Sequence, residues 1–164
     1  PPQEMALNFY KWYLKNFYLK HSVESPIPKI NDDFKYYLDD SIHLEFLKSS
    51  GYFSTLFYQN KLPEYKKCEE SLLKVNYKDV EECGCSPAEF VEKKCMFCFY
   101  MVWTNGQGED ISTSKLIKFK LKENEALVII VVGGFQEVEH YEYYQPNVLL
   151  IKEKGAWKIS NIEL

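Results

Sequence analysis

The side chains best suited to chemistry are four clustered thiols. Cys83, Cys85, Cys95 and Cys98 lie within sixteen residues, and the two-residue gap between the last two is typical of a metal knuckle. A four-thiolate zinc site is therefore one interpretation, and free packed thiols are another. Only one residue separates Cys83 from Cys85 and neither pair has the usual knuckle turn, which favours one or two disulfides. We expect no metal and no cofactor, with Cys68 most simply the unpaired fifth cysteine.

Acid and base chemistry would need a histidine or a carboxylate in a pocket. His43, Asp39 and Asp40 are the candidates, because one of them on a predicted helix could serve as a general base. His43 follows Ile42 on a helix whose apolar face is already defined, and a packed histidine is commoner than a catalytic one. The sequence therefore predicts no catalytic residue.

The most unusual surface candidate is the segment 136–146, in which acidic and aromatic residues alternate directly after Gly133-Gly134. A negatively charged, Tyr-rich patch would attract a basic protein partner. The same pattern also fits an edge strand guarded by charge. In the first interpretation, three tyrosines anchor the partner and three glutamates steer its approach. These expected binding residues are Tyr141, Tyr143, Tyr144, Glu137, Glu139 and Glu142.

Charge and composition narrow the range of partners. All twenty basic residues are Lys and none is Arg. Lys lacks the planar fork that grips phosphate or carboxylate at two points, so a site built on Arg clamps is excluded. The formal net charge is −4 and no dense basic stripe is visible, so we expect no nucleic-acid partner. Most of the 13 Tyr and 11 Phe are expected to fill the core, and the rest could line a cavity.

The sequence also bears on the compartment. The longest apolar runs, 96–103 and 126–132, are far shorter than the roughly 18 residues of a spanning helix, so we expect no transmembrane segment. The chain starts at Pro1-Pro2 without Met, which suits a processed precursor. We expect a periplasmic, cell-surface or secreted protein, lipoproteins included, from which a signal peptide has been removed.

Apolar spacing predicts helices in the first part of the chain. Residues 5–17 predict an amphipathic helix of about five turns. A second helix is predicted to begin near residues 31–33 and to end at 49–51. A third helical stretch covers 52–73, with an interruption near Pro63. The side chains expected to face inward on the second helix are Phe34, Tyr37, Leu38, Ile42 and Phe46.

After residue 80 the pattern changes to strands. Residues 96–104 are aromatic and apolar, 105–108 form a turn signal and 113–121 alternate, which predicts an antiparallel hairpin with one wet face. Residues 127–132 are apolar on both faces and predict a central strand, after which Gly133-Gly134 permits a bulge. The last segment, 147–162, predicts a closing hairpin. Its buried side includes Trp157, Ile159 and Ile162.

Two segments resemble domains of the nuclear transport factor 2-like superfamily, which has a cystatin-like α+β fold. Leu149-Leu150, a charged turn and Gly155-Ala156-Trp157-Lys158-Ile159 are similar to its closing strands. Residues 9–17, with the sequence FYKWYLKNF, resemble the opening helix of an uncharacterised branch in bacterial secreted proteins and lipoproteins. The resemblance implies a single α+β domain over residues 1–164. N-terminal helices would pack on a curved, four- to six-stranded antiparallel sheet that forms a cone.

The resemblance leaves the function open, because this fold hosts enzymes, carriers and binding modules alike. We expect a non-catalytic binding module that engages a protein or a small apolar ligand through the sheet or the cone. An immunity protein that neutralises a bacterial toxin, which could be basic, is the first alternative. An isomerase or dehydratase in the cone pocket is the second, and a homodimer also stays open.

Overall fold

A computed structural model describes residues 1–19, 26–95, 97, 103, 111–136 and 139–163. Within these ranges, positions 17–19, 92, 135, 136 and 139–143 are described by their backbone alone. Helices occupy most of the first half and an antiparallel sheet the second half, so the α+β prediction is confirmed.

Helix α1 (Pro2–Leu19) has 18 residues and forms the predicted N-terminal helix. It begins at proline, whose missing amide would have no partner in a first turn. The side chains at spacings of three and four face the core, which confirms the amphipathic pattern. The buried ones are Ala6, Phe9, Tyr10, Tyr13 and Leu14.

Residues 27–39 form a hairpin where the sequence predicted the start of the second helix. Strand β1 (Ile27–Ile30) pairs antiparallel with β2 (Tyr36–Asp39). Between them, the Asn31 side chain accepts hydrogen bonds from the amides two and four residues further on. Phe34 has a φ of 57°, which is incompatible with a right-handed helix. The helix prediction for residues 31–39 is therefore wrong.

The second helix is shorter than predicted. Helix α2 (Ser41–Ser50) ends at Gly51, whose φ of 71° suits a residue without a Cβ. Phe34 and Ile42 were expected to face inward, but they are 61% and 54% exposed. The buried side chains of α2 are His43 and Leu47.

Helix α3 (Thr55–Leu72) runs through Pro63 without a break, so the predicted interruption is wrong. The helix is capped by Ser54, whose Oγ accepts a bond of 3.2 Å from the amide of Phe57. Buried side chains lie on both sides of the proline, from Phe57 to Leu72, and tertiary packing of this kind outweighs one lost backbone bond. Helix α4 (Tyr77–Cys83) and a 3₁₀ segment (Pro87–Lys94) follow.

The main sheet contains five described strands, within the predicted range of four to six. They are β3 (Thr113–Lys122), β4 (Glu125–Gln136), β5 (Glu139–Tyr144), β6 (Asn147–Glu153) and β7 (Ala156–Glu163). The order is β3-β4-β6-β7, with β5 also paired to β4, and every pairing is antiparallel. The closing hairpin β6–β7 and the central position of β4 confirm the sequence prediction.

A bulge between Val132 and Gly133 interrupts the pairing of β4 with β5, at the place where the two glycines predicted one. The strand predicted at 96–104 lies outside the described residues except for Phe97 and Trp103, and the predicted turn at 105–108 lies wholly outside them. None of the helices in the described ranges has the length and apolarity that crossing a membrane requires.

The buried side chains of the described residues form two cores. The main core lies between α1 and the sheet, and it includes Phe9, Trp103 and Ile159. The second core lies between β2, α3, α4 and the 3₁₀ segment, and it includes Tyr65 and Cys68. Helix α3 contributes to both, with Phe57 in the main core and Leu72 in the second.

Candidate functional site

Residues 139–144 of the predicted acidic and aromatic segment form β5. Its backbone pairs with β4 from Tyr144 opposite Val132 to Glu139 opposite Gln136. Tyr144 is half-buried and packs against the main core, so it serves at least in part as a packing residue. Glu137 lies outside the described residues, and so do the side chains of four residues of β5, for which the binding role stays a prediction. These four are Glu139, Tyr141, Glu142 and Tyr143.

His43 is built into the interior. Its side chain is only 2% exposed, its Nε2 lies 2.9 Å from the hydroxyl of Tyr65, and its ring stacks at 6.4 Å from that of Trp103. Nearby, the Tyr10 hydroxyl donates a bond of 2.9 Å to the carbonyl of Trp103. Burial raises the pKa of Tyr10, so this hydroxyl stays neutral. The contacts of His43 are those of a packed residue that joins the two cores.

Asp39 is held as a carboxylate at the end of β2. It forms an ion pair with Lys29 and accepts bonds from the Ser41 hydroxyl at 2.6 Å and the Ser41 amide at 3.2 Å. Lys29 and Ser41 lower the pKa of Asp39 to about 2. A carboxylate with so low a pKa is a weak base near neutral pH. Asp40 stands before α2, and its side chain makes no capping hydrogen bond.

Two disulfides involve four of the five cysteines. Cys68 on α3 is bonded to Cys95 after the 3₁₀ segment, with Cα atoms 5.1 Å apart and both side chains fully buried. Cys83 is bonded to Cys85 across Gly84, the C-cap of α4. The prediction that Cys68 is unpaired is wrong, because the fold brings α3 next to Cys95. Cys98 lies outside the described residues.

The described residues hold no group of three or more His, Cys, Asp or Glu side chains placed to bind a metal ion. Two thiol pairs that are already bonded to each other have no thiolate to offer zinc.

Strand β3 has a row of lysines on one face. The sequence pattern predicted this face only as the solvent-exposed side of a hairpin. Lys118 and Lys120 lie opposite Ile129 and Leu127 of β4, on the face of the sheet that points away from the main core. Lys115 and Lys122 lie on the same face by register. All four are exposed.

The alternate residues of β3 are apolar and also exposed. Phe119 and Leu121 lie opposite Val128 and Ala126, which are buried in the main core, yet they are 45% and 57% exposed themselves. Ile117 sits in a bulge of the β3–β4 pairing and is 48% exposed. Instead of the predicted single wet face, this end of β3 exposes both faces to solvent.

A groove of about 600 Å³ lies beside this end of β3. Leu56 and Asn60 on the first turns of α3 form one wall, and residues of β3, β4, β6 and β7 form the rest. Seven of its thirteen lining residues are Leu, Ile or Ala, so the groove offers a largely apolar lining. Lys120 and Lys122 give it positive charge, and Glu125 is its one acidic lining residue.

A hydrogen-bonded contact positions that wall. The amide and hydroxyl of Thr55 each donate a bond of 2.9 Å to the carboxylate of Glu153 at the end of β6. These two bonds hold the pKa of the Glu153 carboxyl below its usual value. A carboxylate at the start of α3 also suits the positive end of the helix. The start of α3 is thereby fixed to the end of the sheet.

Two further grooves of about 690 and 670 Å³ meet at the turn between α3 and α4, where Lys74, Val75 and Asn76 line both. Phe90 lines one and is 46% exposed, and Phe34 lines the other with its ring 5.1 Å from that of Tyr77. Lysines and carboxylates are mixed around both grooves, so neither favours one sign of ligand charge.

Comparisons with family models, curated proteins and solved structures found no match to this chain. The relation to nuclear transport factor 2-like domains therefore stays a prediction from the two quoted segments. What the described residues show by themselves is a packed aromatic interior and an open, partly basic groove at one end of the sheet. Asp39, Asp40 and His43 line none of the three grooves described above.

Proposed function

We propose that this chain is a non-catalytic binding module of an exported protein, and that it holds a protein or a small apolar ligand on its sheet. The observation that carries the proposal is the groove beside β3, with its apolar lining, its two lysines and its volume of about 600 Å³. Ligand sites are usually concave and mostly apolar, with a few polar groups that fix orientation.

Two of the three groups that could have served as a general base are held in other contacts, which supports a function without catalysis. His43 is packed between Tyr65 and Trp103, and Asp39 is tied to Lys29 and Ser41. A general base must reach the proton that it removes, and no groove described here brings a substrate to either side chain.

The disulfides support export. Disulfides persist in secreted and periplasmic proteins, whereas cytosolic thiols are kept reduced. The bond between Cys68 and Cys95 is fully buried and joins elements 27 residues apart, which is the arrangement of a structural disulfide. A periplasmic, surface-tethered or secreted location remains our proposal on this ground.

The groove can be tested with 1-anilinonaphthalene-8-sulfonate, an apolar anion that fluoresces when it is shielded from water. We expect saturable binding of about one equivalent to the folded protein. Leu56→Glu should weaken binding at least about fivefold, because it places a negative charge in the apolar wall. Leu62→Glu is the matched control, since Leu62 is exposed on the same helix and does not line the groove.

Equal dye affinity in the two variants would contradict a ligand site in this groove. Conversion of a small molecule that disappears in His43→Ala would contradict the absence of catalysis. A partner recovered from the native cell or from a competing strain would then be measured against alanine variants of Tyr141, Tyr143 and Tyr144. Affinity that is indifferent to all three would contradict the predicted role of β5.

A further inference from the structure

Within the part of the chain that the structure describes, strand β3 is an edge of the sheet. Among the described residues it forms ladder hydrogen bonds only with β4. From Ile117 to Lys122 every side chain is exposed, on both faces of the strand. An edge of this kind presents backbone amides and carbonyls to any extended segment that lies beside it.

The lysines of β3 indicate that such a segment would be negatively charged. Lys115, Lys118, Lys120 and Lys122 share one face, and the acidic residue directly opposite any of them on β4 is Glu125, across from Lys122. The ion pairs found within the described residues are formed by other lysines. Among the described residues, Lys115, Lys118 and Lys120 therefore form a line of positive charge with no acidic residue opposite them on β4.

Protection of the edge by charged side chains does not explain why β3 also exposes large apolar side chains. Lysines on an edge strand commonly prevent pairing with other chains. A strand protected in that way has no need to expose large apolar side chains, yet Ile117, Phe119 and Leu121 are about half exposed. Exposed apolar residues grouped on one element are typical of an interaction site.

A second copy of β3 is a poor occupant. Antiparallel pairing of two β3 strands would place the lysines of one copy beside those of the other, on the same face of a continuous sheet. Like charges at directly opposite positions of a sheet are destabilising. The charge of the strand favours a segment of the opposite sign.

We propose that the edge of β3 from Ile117 to Lys122 docks an extended segment of a protein partner in which acidic residues alternate with apolar ones. Alternate residues of a strand lie about 7 Å apart on one face. Acidic residues at every second position would therefore face Lys118, Lys120 and Lys122, while the apolar residues between them would cover Phe119 and Leu121. The inference rests on the proposed binding function and names the chemistry of the partner.

The probe is a synthetic eight-residue peptide in which Glu alternates with Val and Phe, compared with a peptide of the same composition in which all the Glu residues are contiguous. We expect the alternating peptide to bind more tightly and its affinity to fall as salt is raised. In amide hydrogen exchange, it should protect the outward-facing amides between Ile117 and Lys122, because strand addition uses these backbone groups.

The test variant is Lys118→Glu/Lys120→Glu. Its affinity for the alternating peptide should be at least about tenfold lower, since two attractions become repulsions. The matched control is Lys35→Glu/Lys78→Glu, which makes the same change of charge at exposed lysines beside the groove that contains Phe34. Both variants are surface changes, and unchanged melting temperatures would verify that they fold.

Equal affinity of the two peptides, equal loss in the two variants, or protection at another strand would overturn the inference. Two further outcomes distinguish failure of this inference from failure of the proposed binding function. A partner that binds the Lys118→Glu/Lys120→Glu variant as tightly as the wild type would refute the β3 edge and retain the proposed function. Failure of the dye at the groove and of every recovered partner would instead refute the function.

Discussion

The buried disulfide between Cys68 and Cys95 gives the most quantitative prediction. Replacing both cysteines by Ala opens a loop that spans 27 residues. For a loop of this length the chain-entropy relation gives a loss of about 3.5 kcal/mol in the free energy of unfolding. For a protein of this size that corresponds to a fall of roughly 10 °C in melting temperature.

The second disulfide, between Cys83 and Cys85, provides a control for this prediction. Cys83 and Cys85 are two residues apart, so the same relation gives only about 1 kcal/mol for their disulfide. Cys83→Ser/Cys85→Ser should therefore shift the urea midpoint much less than Cys68→Ala/Cys95→Ala. The ordering follows from loop length alone.

The assay is urea unfolding of the wild type and both variants without reductant, followed by tryptophan fluorescence. Intact mass under denaturing, non-reducing conditions should fall by about 4 Da relative to the reduced wild type, one pair of hydrogens per disulfide. Equal midpoints for the two double variants would refute the loop argument. Five alkylatable thiols in the wild type, with zinc bound, would refute the disulfides themselves.

Two other predictions concern buried and charged contacts. Tyr65→Phe removes the hydroxyl beside the Nε2 of His43 and should lower the free energy of unfolding by about 1–3 kcal/mol. Tyr77→Phe removes a hydroxyl that bonds to Glu81 at the surface, so it should change the free energy of unfolding by less than about 0.5 kcal/mol. Equal losses would contradict the burial argument. The second concerns Asp39, whose folded pKa of about 2 lies below the ordinary value of 3.8. Its contribution to stability is therefore present above about pH 4 and lost as the pH falls through 2. Asp39→Asn, which cannot be deprotonated or pair ionically with Lys29, should lower stability at neutral pH and flatten the change between pH 4 and 2. Parallel acid-unfolding curves for the variant and the wild type would exclude this role.

Long periodic segments were the part of the fold that the sequence could predict. The apolar spacing in α1 covers five turns, and the closing hairpin has two strands around Lys154-Gly155, with φ angles of 51° and 83°. The hairpin at residues 27–39 was missed because each of its strands has four residues. Over so short a span, the alternation of buried Tyr36 and Leu38 cannot be told from a helical pattern.

The candidate site was harder to predict because it depends on register and tertiary contacts. The alternation of Lys with apolar residues at 115–122 was visible, but nothing in it shows that both faces remain exposed. The wall formed by Leu56 exists because Thr55 bonds to Glu153, 98 residues away. The pairing of Cys68 likewise depends on α3 lying against the end of the 3₁₀ segment, which local sequence does not encode.

Pro63 has a consequence for how the protein deforms. It divides α3 between Phe57, which belongs to the main core, and Tyr65, Cys68 and Leu72, which belong to the second. Because proline has no amide hydrogen, the carbonyl of Gln59 lacks its helical partner at this boundary. One backbone hydrogen bond of the helix is already missing at Pro63, so bending the helix there strains fewer hydrogen bonds than bending it elsewhere. The softest point of α3 thus coincides with the boundary between the two cores, which His43 joins through its contacts with Tyr65 and Trp103.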